Sequence, residues 1–300
     1  MRVTANRMTE NLIYDLRQAA SRLEEVEAQM SSLKRLNRPS DDPAGCLEAL
    51  RLKKCIHETA RYRTSIDDAQ RWLDMTEGVA SSLTAIAQSA MELGTRASNG
   101  AIPAESRKAL ALQVDQLIRQ SVDAANHGTG TRPLLSGYET QVPPVQVIET
   151  GDKISGVVLL GDNGRIIRQV GPDATMEVNT LATEILGPAG CSFIDDLIGL
   201  RDSIEACDLA GTATTTGKLN EHHTRLAATS SEIGAKGNRL EMMRDRYSQE
   251  ETTLSGLLSR IEDTDIAECT IRLQAASYSY TTVLAVGAKI VTPALVDFLT

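Results

Sequence analysis

Three groups of side chains in this 300-residue chain are of types that bind metals or move protons, and each fails on spacing. Cys46, Cys55 and His57 combine two thiols with an imidazole, a set that zinc takes when four ligands converge. On a helix, residues nine and eleven apart turn to different faces, and no fourth ligand lies nearby, so buried or inert thiols are expected. Glu221-His222-His223 offers two imidazoles, but neighbours on a helix point to different sides and cannot serve one site together. Cys207 could be a nucleophile only with an activating partner, and the chain has neither a phosphate-binding glycine loop nor a nucleophile elbow. The five cysteines (Cys46, Cys55, Cys191, Cys207, Cys269) are odd in number, irregularly spaced and without a Cys-x-x-Cys, so they are no disulfide framework. The expectation is therefore no catalytic residue, no metal and no cofactor.

Composition points the same way. The chain carries 31 Lys+Arg against 40 Asp+Glu, a net charge of −9, and lacks the basic footprint of a nucleic-acid binder. Its aromatic residues (Phe 2, Trp 1, Tyr 6) are too few to line a stacking platform or a small-molecule pocket. The apolar 41% is mostly Ala, Leu, Ile and Val, a palette suited to helices packed side by side. Met1-Arg2-Val3-Thr4-Ala5-Asn6 runs straight into a polar amphipathic pattern, so no cleavable secretory signal is expected. The stretch from Val283 to Leu299 is apolar but interrupted by Gly287, Lys289, Pro293 and Asp297, so no membrane insertion is expected.

The elements follow from hydrophobic period. Leu12, Leu16, Ala19, Leu23, Val26, Met30 and Leu33 step by four and three, a heptad seam that asks for a partner helix. Asn37-Arg38-Pro39-Ser40-Asp41-Asp42-Pro43-Ala44-Gly45 breaks it. Pro39 stops helical geometry, and Asp42 can cap a restarted helix with Pro43 in its first position. Ile66, Ala69, Leu73, Thr76, Ala80, Leu83, Ala87 and Ala90 mark a second long helix, ending near Asn99-Gly100; another opens at Pro103. Between Tyr138 and Gly190 short β-branched runs appear, with Gly161-Asp162-Asn163-Gly164 expected to turn a hairpin between the runs at Val157–Leu160 and Ile166–Ile167. Phe193, Ile194, Leu197, Leu200 and Ile204 make a short helix. Gly211–Gly217 is expected as a loop, and a further long helix from about Lys218, with no proline before Pro293.

One arrangement satisfies both terminal seams: the amino- and carboxyl-terminal helices fold back on each other. The expected fold is mainly α, an elongated bundle of long antiparallel helices with paired termini plus a small inserted β domain. The expected divisions are residues 1–36 with 265–300 as a terminal coiled-coil region, 37–137 with 191–264 as a helical rod, and 138–190 as the β-rich insert.

Four stretches resemble the bacterial flagellin superfamily, in particular its branch at the hook–filament junction. They are Met1–Leu12; Ser31-Ser32-Leu33-Lys34-Arg35-Leu36-Asn37 through Gly45; Asp67-Asp68-Ala69-Gln70-Arg71-Trp72-Leu73 with Glu92-Leu93 and Asn99-Gly100; and Asp263–Glu268 with Gly287–Leu299. Leu33 stands where members of the superfamily often carry glycine. The resemblance implies a structural, non-enzymatic component of the flagellum, exported by the type III route with an uncleaved amino-terminal address. It implies self-association in a ring layer, hook-associated protein 1 and flagellin as neighbours, and a flagellar export chaperone. It also implies a hinge at Asn37, Arg38, Pro39, Ser40, Asp41, Asp42 and Pro43. The assembly interface it implies is formed by Leu12, Leu16, Leu23, Val26, Met30 and Leu33 with Ile271, Val283, Val286, Ile290, Leu295 and Phe298.

Overall fold

A heptad seam is stable only against a second one, and α1 (Arg2–Ser32) finds it in α7 (Ile266–Val296). Leu12, Leu16, Ala19, Leu23, Val26 and Met30 are sheltered on α1, with Ala20 and Gln29 beside them. On α7 Cys269, Leu273, Ala276, Tyr280, Val283 and Gly287 are sheltered, again alternating four and three. The pair is antiparallel. Cys269 Sγ lies 4.0 Å from the Val26 carbonyl, while at the other end a Cβ added to Gly287 would lie 3.0 Å from a Leu12 methyl. Glycine is the residue that lets the backbone come this close.

This computed structural model describes residues 2–99, 102–129, 132–139, 141–151 and 153–296, with side chains from 7 to 289 (129 excepted). Between the terminal helices come α2 (Pro43–Ala97), α3 (Ala104–Ala125), β1 (Gly128–Thr129), β2 (Arg132–Pro133), β3 (Val145–Thr150), β4 (Lys153–Leu159), β5 (Ile167–Gln169), β6 (Thr175–Glu177), α4 (Ala182–Ile185), α5 (Phe193–Ala206) and α6 (Leu209–Glu262). The fold is mainly α with a small β insert. Its compact units are residues 1–59 with 249–300, and residues 60–248; α2 and α6 contribute to both.

In the 60–248 unit, every member of the α2 stripe from Ile66 to Ala90 is buried. Its core adds Val114 and Ile118 of α3, Leu219 and Leu226 of α6, and all five apolar residues expected on α5. Ser192 caps α5: its hydroxyl accepts from the Asp195 N–H at 3.2 Å, and the Asp195 carboxylate accepts in return from the Ser192 N–H at 3.1 Å. Buried Arg201 of α5 reaches Asp115 of α3 at 3.0 Å and the Ile154 carbonyl of β4 at 2.8 Å, so one side chain ties two helices to the hairpin.

Three expectations need correction. Gly161–Gly164 does not turn a hairpin between the runs at Val157–Leu160 and Ile166–Ile167: β4 pairs instead with β3, turning at Gly151, where φ is +71°, and β5 pairs with β6. The Gly161–Gly164 segment folds onto the Leu134–Tyr138 stretch: the Tyr138 N–H donates to Asp162 Oδ1 at 2.6 Å and the Asp162 N–H to the Ser136 carbonyl at 3.2 Å. The run Gly211–Gly217 is helical, not a loop. Asp208 caps it through the Gly211 N–H at 3.0 Å, and the hydroxyls of Thr212, Thr214, Thr215 and Thr216 each donate to the carbonyl four residues back at 2.7–2.9 Å. Finally, the helix expected to run on toward Pro293 stops at Glu262 and restarts at Ile266. Asp265 caps the restart, accepting from the Ala267 N–H at 2.8 Å.

Phe193 is fully buried. Phe193→Ala should lower the stability of the 60–248 unit by about 3–5 kcal/mol, the usual cost of emptying an aromatic core site, read as a fall in the urea midpoint.

Candidate functional site

Helix ends leave backbone groups without partners, and this chain interrupts its helices twice in the terminal unit, after Ser32 and after Glu262. Each break satisfies the other. The Arg35 N–H donates to the Glu262 carbonyl at 2.7 Å, and the Thr264 N–H to the Leu33 carbonyl at 3.1 Å. Lys34 and Asp263 face one another as an isolated antiparallel bridge. The Arg35 guanidinium adds a bond to the Ile261 carbonyl at 3.0 Å. Beneath the bridge Glu262 is 8% exposed. It accepts from Lys34 Nζ at 3.3 Å and also from Lys53 of α2. Burial penalises the Glu262 carboxylate, but the hydrogen bonds from Lys53 and Lys34 outweigh it and hold its pKa below the ordinary value of 4.5.

The backbone turn that makes this bridge possible is left-handed at Leu33, φ +58°. That conformation suits glycine better than leucine. Leu33, the last position of the expected seam, is accordingly 51% exposed rather than sheltered.

Beyond the bridge lie the expected hinge residues. Asp41 Oδ2 accepts from the N–H groups of Asn37 (3.3 Å) and Arg38 (2.8 Å), and the Asp41 N–H closes the turn on the Arg38 carbonyl at 3.0 Å. Pro39 and Ser40 form its exposed tip. Asp42 Oδ1 accepts from the Gly45 N–H at 2.9 Å and the Asp42 carbonyl from the Cys46 N–H at 2.9 Å, which makes Asp42 the cap of α2 and Pro43 its first residue. The stretch is held by its own carboxylates at one end and by the bridge to Asp263 at the other. Lys34, Lys53 and Glu262 escape sequence reasoning, since only the tertiary fold brings them together.

The expected interface residues separate into three groups. Leu12, Leu16, Leu23, Val26, Met30 and Val283 are half-buried in the α1–α7 seam. Ile271 and Val286 are 68% and 49% exposed and face away from it, with Tyr14 and Tyr278 exposed as well. The side chains of Ile290 and Leu295 and the whole of Phe298 fall outside the described residues. Of the chemically suggestive residues, His222 is buried, whereas its neighbour His223 meets Gln88 at 3.1 Å. Cys207 caps α5 in a left-handed conformation with the Arg107 guanidinium against its sulfur.

Two outcomes follow from the bridge. Leu33→Gly relieves the left-handed strain while adding chain entropy to the unfolded state; the net gain should reach up to about 1 kcal/mol, measured by urea unfolding. Because the folded Glu262 titrates below 4.5, the unfolded chain takes up the proton first. Its stabilising contribution is therefore complete above that pH and is lost as pH falls through the folded value. Glu262→Gln should be less stable than the parent at neutral pH, and the gap should close in acid.

Residues 3–140 match the family described as the bacterial flagellin N-terminal helical region. Flagellar hook-associated protein 3 of Salmonella typhimurium is 24% identical over 198 residues, which is 66% of this chain and 58% of that protein's length. A flagellar filament core protein of Brachyspira hyodysenteriae is 24% identical over 247 residues, 82% of this chain and 80% of that one. Among solved structures, the flagellar hook-associated protein-3 of Legionella pneumophila superposes with a TM-score of 0.61 at 12% identity, covering 70% of this chain and 98% of that one, a likeness of fold. Residues 3–140 thus resemble the flagellin amino-terminal helical region, and the fold is like that of the Legionella hook-associated structure.

Proposed function

We propose that this chain is an exported structural subunit of the bacterial flagellum that forms a layer at the junction between hook and filament and is required for filament assembly and motility. The observation that carries this reading is the antiparallel terminal pair, which spends one apolar face on itself and keeps Tyr14, Ile271, Tyr278 and Val286 exposed. Exposed apolar side chains on a paired helix are suited to neighbouring subunits in a ring. The hook-associated relative supports the junction as its place. On this reading, hook-associated protein 1 and flagellin are the adjoining layers, and a type III export chaperone guards the termini before assembly. Residues 1–36 with 265–300 form the terminal coiled-coil region, 37–137 with 191–264 the helical rod and 138–190 the outer insert. Asn37–Pro43 is the hinge that sets the angle of the terminal helices. The role is mechanical, and no catalysis is proposed.

A second reading, a filament subunit, draws on the match to flagellin's own amino-terminal region and on the filament core relative. Abundance separates the two, since a filament subunit dominates sheared flagella and a junction protein is a trace band. Electron microscopy of a deletion strain tests the first reading. Bare hooks with filament protein shed into the medium are expected, and normal filaments would overturn it. Complementation with Pro39→Ala or Asp42→Ala should restore protein level but not full swimming; normal swimming by both would remove the hinge from the proposal.

A further inference from the structure

One polar cluster in the 60–248 unit is buried, chemically complete and unused by anything above. His222 of α6 is 4% exposed. Its Nε2 lies 2.8 Å from Oδ2 of Asp196 on α5, and its Nδ1 meets Nη2 of Arg225 one turn along α6. Asp196, 8% exposed, also faces Lys218 Nζ at 3.4 Å. The Phe193 ring packs edge-on against the imidazole, with centroids 5.8 Å apart.

Elementary hydrogen-bond chemistry fixes the protonation of this cluster. A guanidinium has donors only, so the contact with Arg225 needs a lone pair on Nδ1. The imidazole proton must then sit on Nε2, where it donates to Asp196. His222 is held as one neutral tautomer, bonded at both nitrogens. Arg225 is less well provided for. Its Nε is buried without a partner, and no carboxylate pairs with it among the described residues. Its guanidinium also lies against backbone: a Cβ at Gly187 would be 3.1 Å from Nη1.

A proton on Nδ1 would turn that acceptor into a donor and set two cations in contact, while leaving the Asp196 bond intact and now charge-assisted. We propose that His222 is a proton-operated switch in the 60–248 unit. Uptake of one proton from solvent at Nδ1 exchanges the Arg225–His222 bond for an imidazolium–Asp196 pair and frees Arg225 from the Gly187 segment.

The charged groups acting on the imidazole are Asp196 from α5, and Lys218, Glu221 and Arg225 from α6. Burial lowers the pKa of His222 below the ordinary 6.5; the bond to Asp196 opposes this and the Arg225 charge reinforces it. The unfolded chain therefore binds the proton first as pH falls. Stability is complete above 6.5 and declines from there down to the folded value. That window opens at 6.5, whereas the one for Glu262 opens at 4.5.

The test is an NMR titration of the four histidines in the full chain from about pH 8 to about pH 5. It is paired with urea unfolding at both ends of that range. The His222 midpoint should fall below 6.5, and the resonances of the Gly187 segment should shift with it. The parent's urea midpoint should drop at the acid end, and that of His222→Gln should not. Arg225→Met, which removes the opposing cation, should raise the His222 midpoint by at least about half a pH unit. A parent His222 midpoint at or above 6.5, or one that Arg225→Met leaves in place, overturns the switch. If either variant fails to fold, the parent titration decides alone.

Discussion

Two interruptions of helix, 230 residues apart in sequence, cancel each other's unpaired backbone groups, and the terminal unit is organised around that exchange. An isolated helix end can be satisfied by water or by a cap. Here the Leu33 and Glu262 carbonyls and the Arg35 and Thr264 amides are satisfied by one another, so neither break can move without disturbing the other. The bridge also brings in a third element, because the Glu262 carboxylate accepts from Lys53 as well as from Lys34. A flexible joint built from one loop would bend freely. Two loops bonded across, with a carboxylate shared between two ammonium groups beneath them, have fewer conformations open to them.

The 60–248 unit is held by another means. Its core is chiefly leucine and isoleucine, with alanines such as Ala87 and Ala90 on the α2 stripe and Phe193 its one buried phenylalanine among the described residues. Arg201 brings charge into that interior with its partners in place. Arg201 is spent on Asp115, Asp202 and the Ile154 carbonyl, which fastens the small hairpin to two helices. The hairpin contributes little core of its own, and its position is set by this anchor and by Asn126, which pairs with both backbone groups of Val145 at 2.9 and 3.0 Å.

What the sequence made legible was whatever depends on local period or local capping. The seam from Leu12 to Met30, the buried stripe from Ile66 to Ala90 and the Asp42 cap all follow from residues a few positions apart. The run Gly211–Gly217 was misread because glycine and threonine have low intrinsic helix preference; a cap at Asp208 and hydroxyls bonded back along the helix override it. The run at Val157–Leu160 has a glycine-containing turn on either side, and which neighbour it pairs with, β3 rather than β5, is a tertiary choice. In α7 apolar residues occur nearly all round, Ile271 and Tyr278 outside, Leu273 and Tyr280 inside, so period alone cannot select the buried face. The Lys34–Glu262–Lys53 cluster leaves no local mark at all. The Asp265 cap was a readable sign that the last long helix is in fact two.

Gly287 carries an implication for how the terminal pair wears. The two helices are drawn together where α7 has no side chain to present to Leu12, whereas the opposite end of the pair is stapled by the bonded breaks. Tightness at one extremity thus depends on the absence of a few atoms, and at the other on hydrogen bonds. A side chain acquired at that glycine would first have to displace the Leu12 methyls, loading the pair at this end while the stapled end keeps its bonds.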